Sequence, residues 1–290
     1  MSEQRRIRVG IGGWNYEPWR KTFYPRSVAK NDQLAYASNR VTAIEINSTF
    51  YRLQKPAVFA KWRDATPDRF LFSLKAPRFV TQRRVLGEAG PHLRRFFDSG
   101  ITELGTKLGP LLWQLDAKHT FDANDIQRFL DLLPGEAHGA KLRHAIEVRH
   151  QSFATPRFLE IARERAVSVV LEDDEDYPGF ADVTGSFIYA RLRRSESSEP
   201  TGYPPAAITD WAERARKWAS GEEPDDLPRV EGMKPVKSAP RDVFIYFING
   251  AKERAPAASM SLIEALHGQR AEAADREFDN FMTVPRSRPE

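Results

Sequence analysis

Two glutamates at matching positions in two β-rich runs are the residues of this sequence best placed to do chemistry. Glu45 lies in the run AIEINS and Glu147 in the run HAIEVR, and Asn47 and Arg149 follow them at a spacing of two. Because side chains alternate along a strand, each glutamate shares a face with the polar residue after it and lies opposite isoleucine or valine. Two carboxylates in such a setting are typical of general acid–base catalysis.

Other β-rich runs carry polar side chains near their ends. Lys75 ends the third run, Gln114 lies late in the fourth, and Tyr189 and Arg191 share one face of the seventh. If helices cover the outer face of the sheet, these side chains must point inward and collect at one end of it. We therefore predict a polar pocket there, with Glu45, Lys75 and Glu147 as its catalytic groups.

A structural network is the alternative to a functional pocket. In it, Glu45 would pair with Lys75 and Glu147 with Arg149, and the charges would only plug the end of the sheet. Burying charges costs several kcal/mol each unless they are paired. Stability alone does not favour so many of them, so we favour the pocket.

The elements that must position these residues alternate between strand and helix. Strands are predicted at Arg8–Gly13, Ala43–Ser48, Phe70–Lys75, Pro110–Leu115, His144–Arg149, Ser168–Asp173, Phe187–Arg191 and Val243–Asn249. Helices are predicted at Asp32–Ser38, Ala57–Asp64, His92–Leu104, Ala123–Leu132, Pro156–Arg165, Thr209–Ser220 and Ser259–His267.

Eight such units in 290 residues predict an α/β fold, a (β/α)8 TIM-barrel-like single domain over residues 1–270. The helix between the sixth and seventh strands is expected to be poor or missing, because only Asp174–Gly185 separates them. An open doubly wound sheet is the alternative, but the GIGGW run lacks the third spaced glycine of a nucleotide-binding turn. A barrel would gather the polar strand ends at its C-terminal mouth, where active sites of this fold lie.

Two segments lie outside this alternation of strands and helices. Residues 221–241 are rich in proline and charge and are predicted to form a solvated insertion, and 271–290 form a polar C-terminal tail. Trp14 and Tyr16 follow the first strand and are expected to stack on a flat polar ligand, or else to roof the barrel.

The composition of the chain excludes several kinds of active site. The chain has no cysteine, which excludes a thiol nucleophile and thiolate metal sites, and its formal net charge is only +4. It shows no apolar signal core and no run of the roughly 20 apolar residues that a membrane helix needs. We expect a cytoplasmic protein without membrane contact. The oligomeric state is left open.

The same residues carry a resemblance to the DUF72 family, also called YecE-like proteins. The matching stretches are Gly12–Tyr16, Phe23–Pro25, Glu45–Tyr51, Lys75–Pro77, Lys107–Pro110, Glu147–His150 and Tyr189–Leu192. The resemblance covers nearly the whole chain and implies a TIM-barrel-like fold but no reaction, because the family has no established function. It also places His150 in the shared pocket.

The chain departs from the family pattern in two loops. Arg193-Arg194 stand where the family usually has His-Gly, and Ile248-Asn249 stand where it usually has two asparagines. We count Asn249 among the candidate binding residues, with Trp14, Tyr16, Asn47, Gln114, Arg149, His150, Tyr189 and Arg191.

Several chemistries compete for this pocket. No cofactor is predicted, although Glu45, Glu147 and Asp173 could hold Mg²⁺ or Mn²⁺ against competition from nearby cations. A glycoside hydrolase would use the two glutamates beneath aromatic rings. A Schiff base at Lys75 is a further hypothesis, against which the neighbouring acids argue.

The expected partner is a small polar or anionic ligand. Its anionic group would lie near Arg149, His150 and Arg191, because the planar arginine fork suits carboxylate or phosphate. Nucleic-acid binding is possible but not favoured, and it would use a basic rim. That rim would consist of Arg83, Arg84, Arg191, Arg193 and Arg194.

Overall fold

Parallel strands surround a barrel axis in the computed structural model, which describes residues 6–267. The strands are β1 (Ile7–Gly12), β2 (Ala43–Ile46), β3 (Leu71–Lys75), β4 (Leu108–Gln114), β5 (His144–Glu147), β6 (Ser168–Val169), β7 (Leu171–Asp173), β8 (Phe187–Leu192) and β9 (Asp242–Phe247). Their order in the sheet is β6-β5-β4-β3-β2-β1-β9-β8-β7.

The two ends of this sheet are neighbours in the chain. Only Val170 separates β6 from β7, and its N–H donates to the carbonyl of Ile146 on β5 at 2.9 Å. The predicted sixth strand thus exists as two short pieces, one paired with β5 and the other with β8. The barrel is therefore nearly closed, and the predicted TIM-barrel-like fold is confirmed.

Helices surround the barrel. They are α1 (Trp19–Thr22), α2 (Gln33–Ser38), α3 (Ser48–Tyr51), α4 (Pro56–Asp64), α5 (Arg78–Thr81), α6 (Gly90–Phe97), α7 (Ala123–Asp131), α8 (Pro156–Glu164), α9 (Pro205–Ser220) and α10 (Ala255–His267). Short 3₁₀ turns lie at Lys30–Asp32, Leu86–Glu88, Ile101–Lys107, Gln151–Phe153 and Lys252–Arg254. No helix lies between β7 and β8, as predicted.

Three of the predicted helices differ from the observed ones by four residues or more, and the last of them begins at Ala255 instead of Ser259. The segment predicted as one helix at His92–Leu104 stops at Phe97, because Gly100 adopts a left-handed φ of 95° before the next 3₁₀ turn begins. The helix predicted to begin at Thr209 begins at Pro205, where a proline suits the first turn.

Strand alternation separates two apolar layers. Ile44 and Ile46 belong to the outer layer beneath the helices, whereas Ala43, Ala145 and Tyr246 belong to a smaller cluster inside the barrel. None of the helices within residues 6–267 is long and apolar enough to cross a membrane.

The insertion at 221–241 has no regular secondary structure, but it docks on the body of the protein. Val230 and Met233 pack against the core, and the backbone N–H of Val230 donates to Asp182 at 2.9 Å. Most of the segment is exposed, as expected for a solvated insertion, but these apolar side chains anchor it to the body of the protein. The tail at 271–290 lies outside the described residues.

Candidate functional site

One arginine organises the inner end of the barrel mouth. Arg191 on β8 is 2% exposed, and its guanidinium faces three carboxylates. Its Nε and Nη2 donate to the two oxygens of Glu45, both at 3.1 Å. Its Nη1 donates to Glu147 at 2.6 Å and to Glu172 at 3.0 Å. All three glutamates are buried, so their negative charge must be compensated within the barrel.

Two of these glutamates are close enough to compete for one proton. Glu147 and Glu172 both accept from Nη1 of Arg191, and two negative carboxylates so close repel each other. Burial raises the pKa of Glu172, and the charge of Glu147 raises it further. Burial also acts to raise the pKa of Glu147, but Arg191 and Arg149 outweigh it and hold that pKa well below the usual range. Glu172 is therefore the protonated partner and Glu147 the ionised one.

The remaining contacts of the glutamates fix their orientation. Gln114 donates to Glu147 at 2.7 Å, and Arg149 donates its Nε to the same oxygen at 2.6 Å. Tyr189 donates its hydroxyl to Glu45 at 2.7 Å, and burial raises the pKa of this tyrosine, which keeps it a donor. The predicted inward positions of these residues all agree with the observed contacts.

Lys75 stands apart from this network. Its Nζ lies 4.0 Å from the centroid of the Phe50 ring, and its side chain forms no ion pair with any residue in the described range. The Glu45–Lys75 pair of the structural-network alternative is not formed, because Glu45 is engaged by Arg191 and Tyr189. Burial lowers the pKa of Lys75 to about 8, and the positive Arg191 contributes in the same direction.

A second layer of charge lies above the glutamates. Arg193 contacts Glu172 at 3.3 Å and Asp174 at 2.9 Å. Tyr177, from the helix-free segment after β7, lies between two guanidinium groups, 4.6 Å from that of Arg149 and 5.0 Å from that of Arg193. This ring therefore covers part of the mouth and leaves Arg149 18% exposed.

Three other predicted binding residues are held by local contacts. His150 uses Nδ1 to accept from the backbone of Ser152 at 3.2 Å, which caps a 3₁₀ turn. Asn47 lies against Gly12, where an added Cβ would come within 3.1 Å of its Nδ2. Asn249 is exposed, with a left-handed φ of 62°.

The two predicted aromatic residues pack on the helical layer. The ring of Trp14 lies edge-on to Trp62 of α4 at 5.4 Å. Tyr16 packs edge-on against Trp19 at 5.5 Å and lies 4.6 Å from the Lys252 ammonium group. Both are half-buried, and their ring contacts lie with the helices rather than with the glutamates.

The proposed basic rim divides into two parts. Arg191 and Arg193 are engaged by glutamates, and Arg194 contacts Asp173 at 3.1 Å. These arginines are therefore neutralised by carboxylates of the chain itself. Four of the five N–H groups of Arg191 donate to glutamates and the residue is 2% exposed, so the chain's own carboxylates take most of its donor capacity.

The acidic residues do not assemble as a metal site. Asp173 pairs with Arg194 instead of joining Glu45 and Glu147, and the space between the glutamates is taken by Arg191. Within residues 6–267 no three His, Cys, Asp or Glu side chains are arranged to hold a metal ion.

Glu172 is the functional candidate that the sequence reasoning missed. It is absent from the candidate residues predicted from the sequence, yet it is buried beside Arg191. The sequence does contain a pattern that places Glu172 inside the barrel. In the sixth strand Glu172 shares parity with Ser168 and Val170, opposite Val169 and Leu171, and this is the pattern that places Glu45 and Glu147 inside.

Comparison with known proteins agrees with the motifs. A family model described as "Protein of unknown function DUF72" matches residues 8–280. UPF0759 protein YecE of Escherichia coli (strain K12) is 29% identical over 155 residues, which are 51% of this chain and 50% of that relative. The chain thus matches about half the length of this curated relative.

Two solved structures share the fold. A DUF72 family protein from Thermotoga maritima is similar with a TM-score of 0.65 and 19% identity, over 89% of this chain and 97% of that one. A DUF72 family protein from Enterococcus faecalis is similar with a TM-score of 0.64 and 17% identity, over 90% of this chain and 95% of that one. At these identities the likeness shows the fold alone.

Proposed function

The chain belongs to the DUF72 family of proteins of unknown function, as its motifs predicted, and from its site we propose that it is an acid–base enzyme acting on a small polar substrate. Lys75 takes the substrate proton. Arg149 holds an anionic group of the substrate, and the Glu147–Glu172 pair stores the proton beneath them.

The observation that carries this proposal is a set of ionisable groups whose pKa values are pushed apart in one barrel mouth. The pKa of Lys75 falls to about 8 while that of Glu172 rises and that of Glu147 falls. Displacements of this kind are typical of acid–base sites. A lysine with that pKa is deprotonated in about a tenth of molecules at pH 7, enough for a general base.

Arg149 supports the assignment of an anionic substrate group. Only its Nε is used on Glu147, and its two terminal nitrogens form no hydrogen bond with the residues between 6 and 267. A partly exposed guanidinium with free terminal donors suits a carboxylate or phosphate. His150 and Asn47 line the same end of the barrel and complete the polar surface that a substrate would meet.

Deuterium uptake tests the proposal. We expect the purified protein to incorporate solvent deuterium into at least one member of a mixture of 2-oxo acids, 2-hydroxy acids and aldoses incubated in D2O, detected by mass spectrometry. Lys75→Met should reduce the rate by about 10²–10⁴-fold, the usual contribution of a general base.

Lys61→Met is the matched control, because this lysine is exposed on α4. Its substitution should leave the rate unchanged. Uptake that persists in Lys75→Met would assign the base to another group, and no uptake from any member would count against proton abstraction.

A second candidate function follows from the same lysine. The acids expected to keep Lys75 protonated are engaged by Arg191, so its amine is available to condense with a carbonyl substrate. The two candidates differ in whether a covalent bond forms.

Borohydride trapping separates them. If Lys75 forms an imine, pyruvate or glyceraldehyde with sodium borohydride should add one reduced substrate mass to the peptide carrying Lys75, and the mass should be absent in Lys75→Arg. If Lys75 acts only as a base, that peptide should keep its mass.

A further inference from the structure

A cavity lies on the mouth side of the barrel, away from the glutamate network. It has a volume of about 550 Å³ and lies between the segments that follow β3 and β4. We call it the outer groove. Residues 82–85 form one wall, residues between Asp116 and Asp122 form the other, and Asp125 and Arg128 of α7 close it.

Several cationic side chains of the groove are available to bind a ligand. Arg83, Arg84 and Lys118 line it, and within the described part of the chain none of them has an ion-pair partner. Arg128 is exposed and lies 3.7 Å from the buried Asp125, beyond hydrogen-bond distance. This separates Arg83 and Arg84 from the other arginines of the expected rim, all of which meet carboxylates.

The three carboxylates of the groove are used by the backbone. Asp125 accepts the N–H groups of Leu86 and Gly87 at 2.8 and 2.9 Å and so joins the segment after β3 to α7. Asp122 caps α7 by accepting from the N–H of Asp125 at 2.9 Å. Asp116 accepts the N–H two residues further on at 2.9 Å. Backbone N–H groups thus partly compensate these carboxylates, whereas Arg83, Arg84 and Lys118 have no ion-pair partner between residues 6 and 267.

One donor in the groove lacks an acceptor. The Nε of Arg83 is buried and makes no hydrogen bond within the described residues. Buried polar atoms are nearly always paired, and leaving one unpaired costs free energy. A shift of the Arg83 side chain toward an anion in the groove would give this Nε an acceptor.

We propose that the outer groove is a binding site for a phosphoryl group of a small phosphorylated molecule, held by Arg83, Arg84 and Lys118. Two adjacent guanidinium groups suit the oxygens of a phosphate, and a lysine on the opposite wall adds a point charge. The volume fits a small molecule rather than a bare ion. The proposal does not depend on the chemistry assigned to Lys75.

Isothermal calorimetry at low ionic strength tests this site, with pyrophosphate, glucose 6-phosphate and inorganic phosphate as probes. We expect saturable binding of at least one of them. The double substitution Arg83→Gln with Arg84→Gln should weaken it about 10-fold or more, since each removes a charge-assisted hydrogen bond. Pyrophosphate should bind more tightly than inorganic phosphate because it carries more negative charge and more acceptor oxygens.

Two matched variants locate the binding. Arg194→Gln removes an exposed arginine that already meets Asp173, and it should leave the affinity unchanged. Binding that is lost in Arg149→Gln and kept in the Arg83/Arg84 variant would place the anion in the barrel mouth and overturn the proposal. No binding of any probe would also overturn it. So would binding of a single-stranded oligonucleotide through Arg83 and Arg84 without binding of pyrophosphate, since that assigns the groove to a nucleic acid.

Discussion

Replacement of Arg191 by methionine is expected to lower the free energy of unfolding by about 3–5 kcal/mol, the largest stability change that a single side chain of the mouth should produce. Arg191 is the shared partner of Glu45, Glu147 and Glu172, all buried. Methionine fills a similar volume but leaves these carboxylates without a counter-charge, so they must take up protons or remain unpaired. Urea unfolding at pH 7 followed by circular dichroism measures the loss.

Arg194→Met is the matched control for that experiment. Its guanidinium is 51% exposed and meets Asp173 at 3.1 Å, so the loss should stay within about 1 kcal/mol. If Arg191→Met is too unstable to purify, Glu147→Gln offers a milder test, because it removes one charge and keeps the arginine. A loss below about 1 kcal/mol for Arg191→Met would mean that the three glutamates are not held by it.

This network changes how the mouth is to be understood. The sequence allowed two interpretations of the mouth, a functional pocket or a structural plug. The structure supports the plug for the deeper residues and the pocket for the residues above them. Glu45 and Arg191 form a self-satisfied layer, whereas Lys75 and Arg149 above it keep unused donor capacity. The inner charges therefore stabilise the site and set its electrostatics, and the upper ones are available to a substrate.

The alternation of side chains between the two faces of a strand explains why much of this site was predictable. Inward positions of Glu45, Glu147 and Arg191 follow from strand alternation and from the need for an apolar face beneath the helices. Their partners do not follow from it. Arg191 on β8 reaches across the barrel to Glu45 on β2. Such a contact depends on the tilt and stagger of the strands, and the alternation of side chains along one strand gives no information about either.

The sites outside regular strands were harder to predict for the same reason. Tyr177 lies in a segment without helix or strand, so no periodicity indicates that its ring comes between Arg149 and Arg193. The docking of residues 221–241 was missed because isolated apolar residues such as Val230 and Met233 show no period. The outer groove forms only where two loops meet, and the sequence does not show that they do. Its acidic and basic residues are also so close together in the sequence that their spacing does not indicate which of them form ion pairs.

The pH dependence of Glu172→Gln should reveal which glutamate holds the shared proton. The folded-state pKa of Glu172 lies above its unfolded value near 4.5, because it is buried and lies beside ionised Glu147. Above pH 4.5 the folded chain therefore binds a proton that the unfolded chain has released, and stability falls as pH rises toward the folded pKa. The slope approaches about 1.4 kcal/mol per pH unit. Glutamine resembles the protonated acid and does not titrate, so the variant should lack this decline.

We therefore expect Glu172→Gln and the unaltered protein to have similar melting temperatures near pH 5, with the variant gaining as the pH rises to 8. Glu147→Gln is the matched control with the opposite sign. Its pKa is lowered in the folded state, so the ionised form contributes stability above pH 4.5 that is lost as pH falls below it. That variant should be less stable at pH 7, and its deficit should shrink toward pH 4. If the two variants exchange these profiles, the proton resides on Glu147, and Glu172 rather than Glu147 is the ionised partner of Arg191.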